Sequence, residues 1–142
     1  MIQKIDEDAR WRGMFTEVRG LEICAGHELA LEPTLAGKER RPTPSALQLV
    51  TGSVFVMAKG SRLVIRRGAT LVIRTGTRMR MEPGAQVIVE EGGHVYIEHK
   101  ADIAFTPGES GFRVARGASI GVDPALGRAL PELRVPQPIP RI

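Results

Sequence analysis

Catalysis in this chain would need polar side chains that converge on one point, and His94, Glu98, His99 and Asp102 come nearest to it. A metal site or an acid–base pair requires such groups to share a cavity. The repeat described below instead sends His94 outwards and places Glu98 and His99 at a strand end and a corner. Solvated structural residues are therefore expected there. Cys24 has no histidine at a recognisable catalytic spacing and reads as an inert thiol. His27 reads as an outward residue beside a turn glycine. The glycines are evenly spaced, unlike a phosphate-binding GxGxxG or GxxxxGK[ST] loop. What remains is a patch of guanidinium groups, Arg62, Arg66, Arg78 and Arg80, whose natural ligand would be an acidic glycan. No catalytic residue, metal ligand or cofactor is expected, and the chain is read as something other than an enzyme.

The elements that position these residues follow from an internal period. Glycines fall at Gly52, Gly60, Gly68, Gly76, Gly84 and Gly92, each eight residues after the last. Counted from them, the fourth position reads Phe55, Leu63, Leu71, Met79, Val87, Val95, and the sixth reads Met57, Ile65, Ile73, Met81, Val89, Ile97. The second is small throughout: Ser53, Ser61, Ala69, Thr77, Ala85, Gly93. Apolar pairs with the same spacing recur at Leu21/Ile23, Leu29/Leu31, Leu47/Leu49, Ile103/Phe105, Phe112/Val114 and Ile120/Val122. Side chains alternate across a strand, so positions two, four and six share one face. One such strand cannot bury that face alone. Stacked coils of short parallel strands around a common apolar interior solve the problem, which predicts an all-β, single-stranded parallel β-solenoid.

Outward residues bear on how many units make a coil. With two per coil, residues sixteen apart become neighbours, pairing Arg66 with Glu82, Arg74 with Glu90 and Arg80 with Tyr96. Val56, Val72 and Ile88 then line one sheet as an apolar stripe suited to self-association, a trimer included. With three per coil the pairs become Arg66–Glu90 and Arg74–Glu98, so charge pairing leaves both open. Two is the reading adopted, giving six coils and a rod of roughly 29 Å.

Residues 1–17, with Ile2, Ile5, Trp11, Met14 and Phe15 among charges, are expected to cap the coil, with one helical turn. The solenoid is placed at 18–123, with residues 34–43 protruding as a loop. Residues 124–142, holding Pro124, Pro131, Pro136, Pro138 and Pro140, read as an extended tail or linker. With 142 residues and a net charge of +4, one domain is expected and no dedicated nucleic-acid binder. No apolar run is long enough to span a membrane, and the acidic start is not read as a signal peptide.

Gly60-Ser61-Arg62-Leu63-Val64-Ile65, Gly68-Ala69-Thr70-Leu71-Val72-Ile73 and Gly84-Ala85-Gln86-Val87-Ile88-Val89 resemble the GAxLxI octads in the β-solenoid repeat regions of secreted Bacteroidetes surface proteins. Gly117-Ala118-Ser119-Ile120-Gly121-Val122 looks similar. The resemblance implies a stalk-like or adhesive extracellular module. The leading functional expectation is thus a structural scaffold: a surface or extracellular spacer or adhesive module whose partners are copies of itself and an acidic glycan. One alternative is a cytoplasmic filament protein similar to the bactofilins, which the chain resembles in size and in its flanking segments. Another is a segment of a trimeric phage or secretion fibre.

Overall fold

Each corner of the chain is a tight turn that its glycine makes possible. In Glu82-Pro83-Gly84-Ala85 the Ala85 amide donates to the Glu82 carbonyl at 3.0 Å, and Gly84 sits at φ +84°. Proline second and a left-handed glycine third is the type II pattern. Gly52, Gly60, Gly68, Gly76 and Gly92 take the same left-handed angle. These corner glycines also tie coils together. Gly52 donates to the Gly76 carbonyl at 3.1 Å, and Gly68 to that of Gly92 at 3.0 Å.

A computed structural model describes residues 3–17, 19–36, 41–43, 45–98, 100–106 and 108–122. Between the corners run short strands, one per sheet in each coil. The first coil holds β1 (Gln3–Ile5), β2 (Ala9–Trp11) and β3 (Met14–Glu17). The second holds β4 (Gly20–Ile23) and β5 (Glu28–Leu31), then a side hairpin of β6 (Thr34–Ala36) and β7 (Arg41–Thr43), then β8 (Ser45–Leu49). The third holds β9 (Val54–Met57), β10 (Arg62–Ile65) and β11 (Ala69–Ile73), and the fourth β12 (Arg78–Met81), β13 (Gln86–Val89) and β14 (His94–Ile97). The fifth holds β15 (Asp102–Ala104), β16 (Gly111–Val114) and β17 (Ser119–Val122). Three five-stranded parallel sheets result: β1-β4-β9-β12-β15, β2-β5-β10-β13-β16 and β3-β8-β11-β14-β17. Among the described residues the chain is all-β with no helix, in the arrangement of a β-solenoid. No helix of the described residues is long and apolar enough to cross a membrane.

The register corrects the expected two-unit coil. Leu63 pairs with Val87, Leu71 with Val95 and Met79 with Ile103, each 24 residues on. Arg66 therefore meets Glu90 at 2.7 Å rather than Glu82, and Arg74 meets Glu98 at 3.1 Å rather than Glu90. Arg80 and Tyr96, expected as neighbours, lie on the first and third sheets. Five strands per sheet replace the expected six coils, spanning about 19 Å between edges at the parallel spacing. The cause lies in the interior. Three sheets enclose a prism wide enough for two large side chains per strand, and Leu, Ile, Met and Phe fill it. Leu29, Leu47, Phe55, Leu63, Leu71, Met79, Val87 and Val95 are wholly inaccessible to solvent.

The small second positions are as crowded as the sequence implied. Ser53, Ser61, Thr77 and Ala85 are all buried. A methyl group on Gly93 would stand 2.6 Å from the Ile65 carbonyl oxygen. Residues 34–43 leave the period as expected, and their described part is an antiparallel hairpin with Leu35 opposite Pro42. Residues 3–17 differ from the expected helical turn. They form three strands that pair in parallel with β4, β5 and β8, so this segment is itself a coil. The tail placed at 124–142 lies outside the described residues.

Candidate functional site

The arginines proposed as an anion patch are divided between two sheets, and three of the four meet carboxylates. Arg62 holds Glu28 at 3.0 Å on the second sheet. Arg66, four residues on, bridges Glu32 at 3.2 Å and Glu90 at 2.7 Å. Desolvation lowers the Arg66 guanidinium, but the hydrogen bonds it donates to Glu90 and Glu32 and their negative charge outweigh this and hold it above its ordinary value. Arg80 meets Asp102 at 3.3 Å on the first sheet, where Arg78 is exposed. Opposite charges thus meet across successive coils inside one molecule, with the carboxylate before the arginine in some pairs and after it in others.

The apolar stripe is dispersed as well. Val56 belongs to β9 on the first sheet, Val72 to β11 on the third and Ile88 to β13 on the second. Three faces carry one residue each, because the 16-residue spacing that aligned them is not the coil length. The residues weighed for chemistry are also apart. His94 shares a hydrogen bond with the Ser119 hydroxyl, Glu98 holds Arg74, and Asp102 holds Arg80. His99 lies outside the described residues. No group of three or more His, Cys, Asp or Glu is placed to hold a metal among the described residues. Cys24 is half-buried, its Sγ 4.0 Å from Glu22 Oε2.

What the fold does concentrate is aromatic surface at its two ends. The chain has four Phe, one Trp and one Tyr. Trp11 and Phe15 lie in the first coil, with ring centroids 4.7 Å apart and planes 30° apart. Phe112 lies in the last coil and Phe105 just follows β15. Each occupies or continues a core column, yet each is only partly buried, whereas Phe55 in the third coil is wholly enclosed. The physical reason is position. A core residue in an interior coil has strands above and below it. Among the described residues one in a terminal coil has a strand on one side only, which leaves the bulky aromatics partly open while Ile5, Ile103, Val114 and Ile120 stay buried.

Backbone follows the same logic. Within the sheets the ladder passes from coil to coil, as in Glu32 N donating to the Trp11 carbonyl and Ala115 N to that of Val89, at 3.0 and 2.9 Å. Among the described residues no strand pairs beyond β1, β2 and β3 at one end or β15, β16 and β17 at the other. Edge strands of this kind are templates for further strands.

The first coil is well fixed for such a role. Asp8 accepts from the Glu28 backbone amide at 3.1 Å and faces His27 Nδ1 at 3.3 Å. The amide hydrogen bond, then the His27 contact, hold the Asp8 carboxyl below its usual range. Arg12 reaches Glu32 at 2.9 Å, and Gly13 N donates to the Ser45 hydroxyl at 2.7 Å. The sequence singled out Trp11 and Phe15 but assigned them to a cap. Phe105 and Phe112 were counted as repeat members, and only their places in the last coil distinguish them.

The class that fold and geometry define is, among the described residues, an all-β protein of three parallel sheets, of β-helix or β-solenoid type. No family model, curated protein or solved structure matches the chain.

Proposed function

We propose that the chain is a non-enzymatic structural module, built of eight-residue units three to a coil, that stacks end to end with copies of itself. The half-buried aromatic side chains on both terminal coils, Trp11 and Phe15 at one end and Phe105 and Phe112 at the other, carry this reading. Continuing each sheet from the last coil of one copy into the first coil of the next brings β15 to β1, β16 to β2 and β17 to β3. In the register that the sheets already use, Phe112 then covers Ala9, Val114 covers Trp11 and Ile120 covers Phe15. Large meets small in the first pair, and all three are apolar. Both edges would also gain hydrogen-bond partners. One pairing opposes the contact: Arg113 stands against Arg10, both exposed, a repulsion that salt screens.

Sedimentation velocity across a range of protein concentrations and salt tests the proposal. Wild type is expected to give a ladder of growing species, more pronounced at high salt. Phe112→Asp should remain monomeric with its circular dichroism unchanged. A wild-type chain that stays monomeric throughout, or a Phe112→Asp variant that assembles like wild type, refutes end-to-end stacking.

A further inference from the structure

On the second sheet the arginines of the interior coils are matched by carboxylates, and those of the two end coils are not. Arg62 holds Glu28 at 3.0 Å, and Arg66 stands between Glu32 at 3.2 Å and Glu90 at 2.7 Å. Towards the first coil negative charge runs short. The single Glu32 carboxylate serves Arg10 at 3.8 Å and Arg12 at 2.9 Å as well as Arg66. In the last coil Arg113 is exposed and pairs with no carboxylate among the described residues. The register places these unmatched charges in line. One outward column of the second sheet reads Arg10, Ala30, Val64, Ile88, Arg113 from the first coil to the last. Its middle is apolar, and a guanidinium stands at each end.

We infer that the seam between two stacked copies, on the outer face of the second sheet, binds a tetrahedral dianion, phosphate or sulfate. Such a site exists only where copies stack end to end as proposed above, and its ligand would regulate that stacking. Continuing the sheet across the seam sets Arg113 of one copy about 4.8 Å, backbone to backbone, from Arg10 of the next. Arg12 of that next copy then faces Ala115, which offers it no carboxylate. The nearest carboxylates on this face are Asp8 and Glu32 of the copy that supplies Arg10. Asp8 is occupied by the Glu28 amide and His27, and Glu32 by Arg12 and Arg66. The seam therefore keeps an excess of positive charge.

Chemistry selects the ligand. A guanidinium presents a planar fork of donors that matches two oxygens of a phosphate or sulfate, and charge-assisted bonds of this kind are the strong ones. Two such forks on adjacent strands grip one ion from both sides. Chloride screens the repulsion between Arg113 and Arg10 but cannot bridge them. An ion that binds the stacked form and not the single copy favours stacking by mass action. The pair that opposes contact in chloride thus becomes a clamp in sulfate.

Sedimentation velocity in low-millimolar sodium sulfate, against sodium chloride at equal ionic strength, tests the site. Low concentration matters, because concentrated sulfate strengthens apolar burial in any protein. Wild type is expected to assemble at a several-fold lower protein concentration in sulfate. Arg113→Gln and Arg10→Gln each remove one side of the clamp and should show the same threshold in both salts. A second arm replaces sulfate by dextran sulfate. A lower threshold with the inorganic ion identifies a free dianion; one with the polymer alone, lost in Arg113→Gln, identifies ester groups on a polyanion. Wild type indifferent to both, or a preference for sulfate that both variants keep, overturns the site. If Arg113→Gln assembles in chloride while wild type ignores sulfate, stacking stands and the anion site falls. If neither protein assembles in any salt, stacking fails and the site fails with it.

Discussion

The third coil and the fifth share a pattern, yet the same apolar slots do different work in each. Leu71 in the third coil is sealed by Leu47 on one side and Val95 on the other, with no solvent access. Phe112 in the fifth has Val87 on one side, no described strand on the other, and stays half-buried. Burial of a large apolar side chain is worth about 1.5–3 kcal/mol, in proportion to the area removed from water. Interior coils have used that energy for folding. Terminal coils leave part of it unused where aromatic side chains stay half-buried.

Truncation should separate the two regions most clearly. Leu71→Ala is expected to destabilise by about 3–5 kcal/mol, the range for a rigid, fully enclosed cavity. Phe112→Ala should cost only about 1–2 kcal/mol, because less area is lost and the end can relax. Urea denaturation of both variants checks this; equal losses would mean that the ends are as sealed as the middle. Next in size is Gly93→Ala, where one methyl group meets the Ile65 carbonyl oxygen. A loss of about 1–3 kcal/mol is expected from overpacking, read as a lower thermal midpoint. Arg113→Glu acts only at the end. Its carboxylate would face Arg10 of the next copy, so assembly should begin at a several-fold lower concentration with monomer stability nearly unchanged, both measurable by sedimentation and thermal melting.

Much of this division was legible in the chain. Paired apolar residues beside small ones identified the inward face, because a strand alternates with period two. Coil length was not legible from charge, since Arg66 has a carboxylate at both 16 and 24 residues, Glu82 and Glu90. The clearer signal was the absence of charge. At a spacing of 24 two adjacent outward columns are free of charge together, Ala46, Thr70 and His94 beside Gln48, Val72 and Tyr96, whereas at 16 Ala46 leads to Arg62 and Gln48 leads through Val64 to Arg80. Val56, Val72 and Ile88 looked like a stripe because apolar residues recur at 16 by coincidence. Residues 3–17 hid their strands by irregular spacing: Gln3 pairs with Leu21 and Ala9 with Leu29, at 18 and 20 residues. Gln3 even occupies a core column, so no apolar pattern marked β1.

Two smaller effects sharpen the contrast between corner and end. The Ser61 hydroxyl is buried without a hydrogen-bond partner among the described residues. Ser61→Ala should leave stability unchanged or raise it by about 1 kcal/mol, since an unsatisfied buried group is removed; a clear loss in the melt would contradict that. Asp8 is the matching polar contact of the first coil, and it is exposed. Its folded pKa is depressed, so its stabilising contact is present above the unfolded value near 3.8 and is lost as pH falls through the lower folded value. Asp8→Asn should therefore lower the melting temperature slightly at neutral pH, and the gap from wild type should close in strong acid.

Fibre diffraction from the assembled protein tests end-to-end stacking most directly. Strands that run across the coil and stack along it place a reflection near 4.8 Å on the meridian, with an axial subunit repeat of about 24 Å from five strands per sheet. A 4.8 Å reflection on the equator, or a subunit repeat unrelated to five strand spacings, would contradict the account.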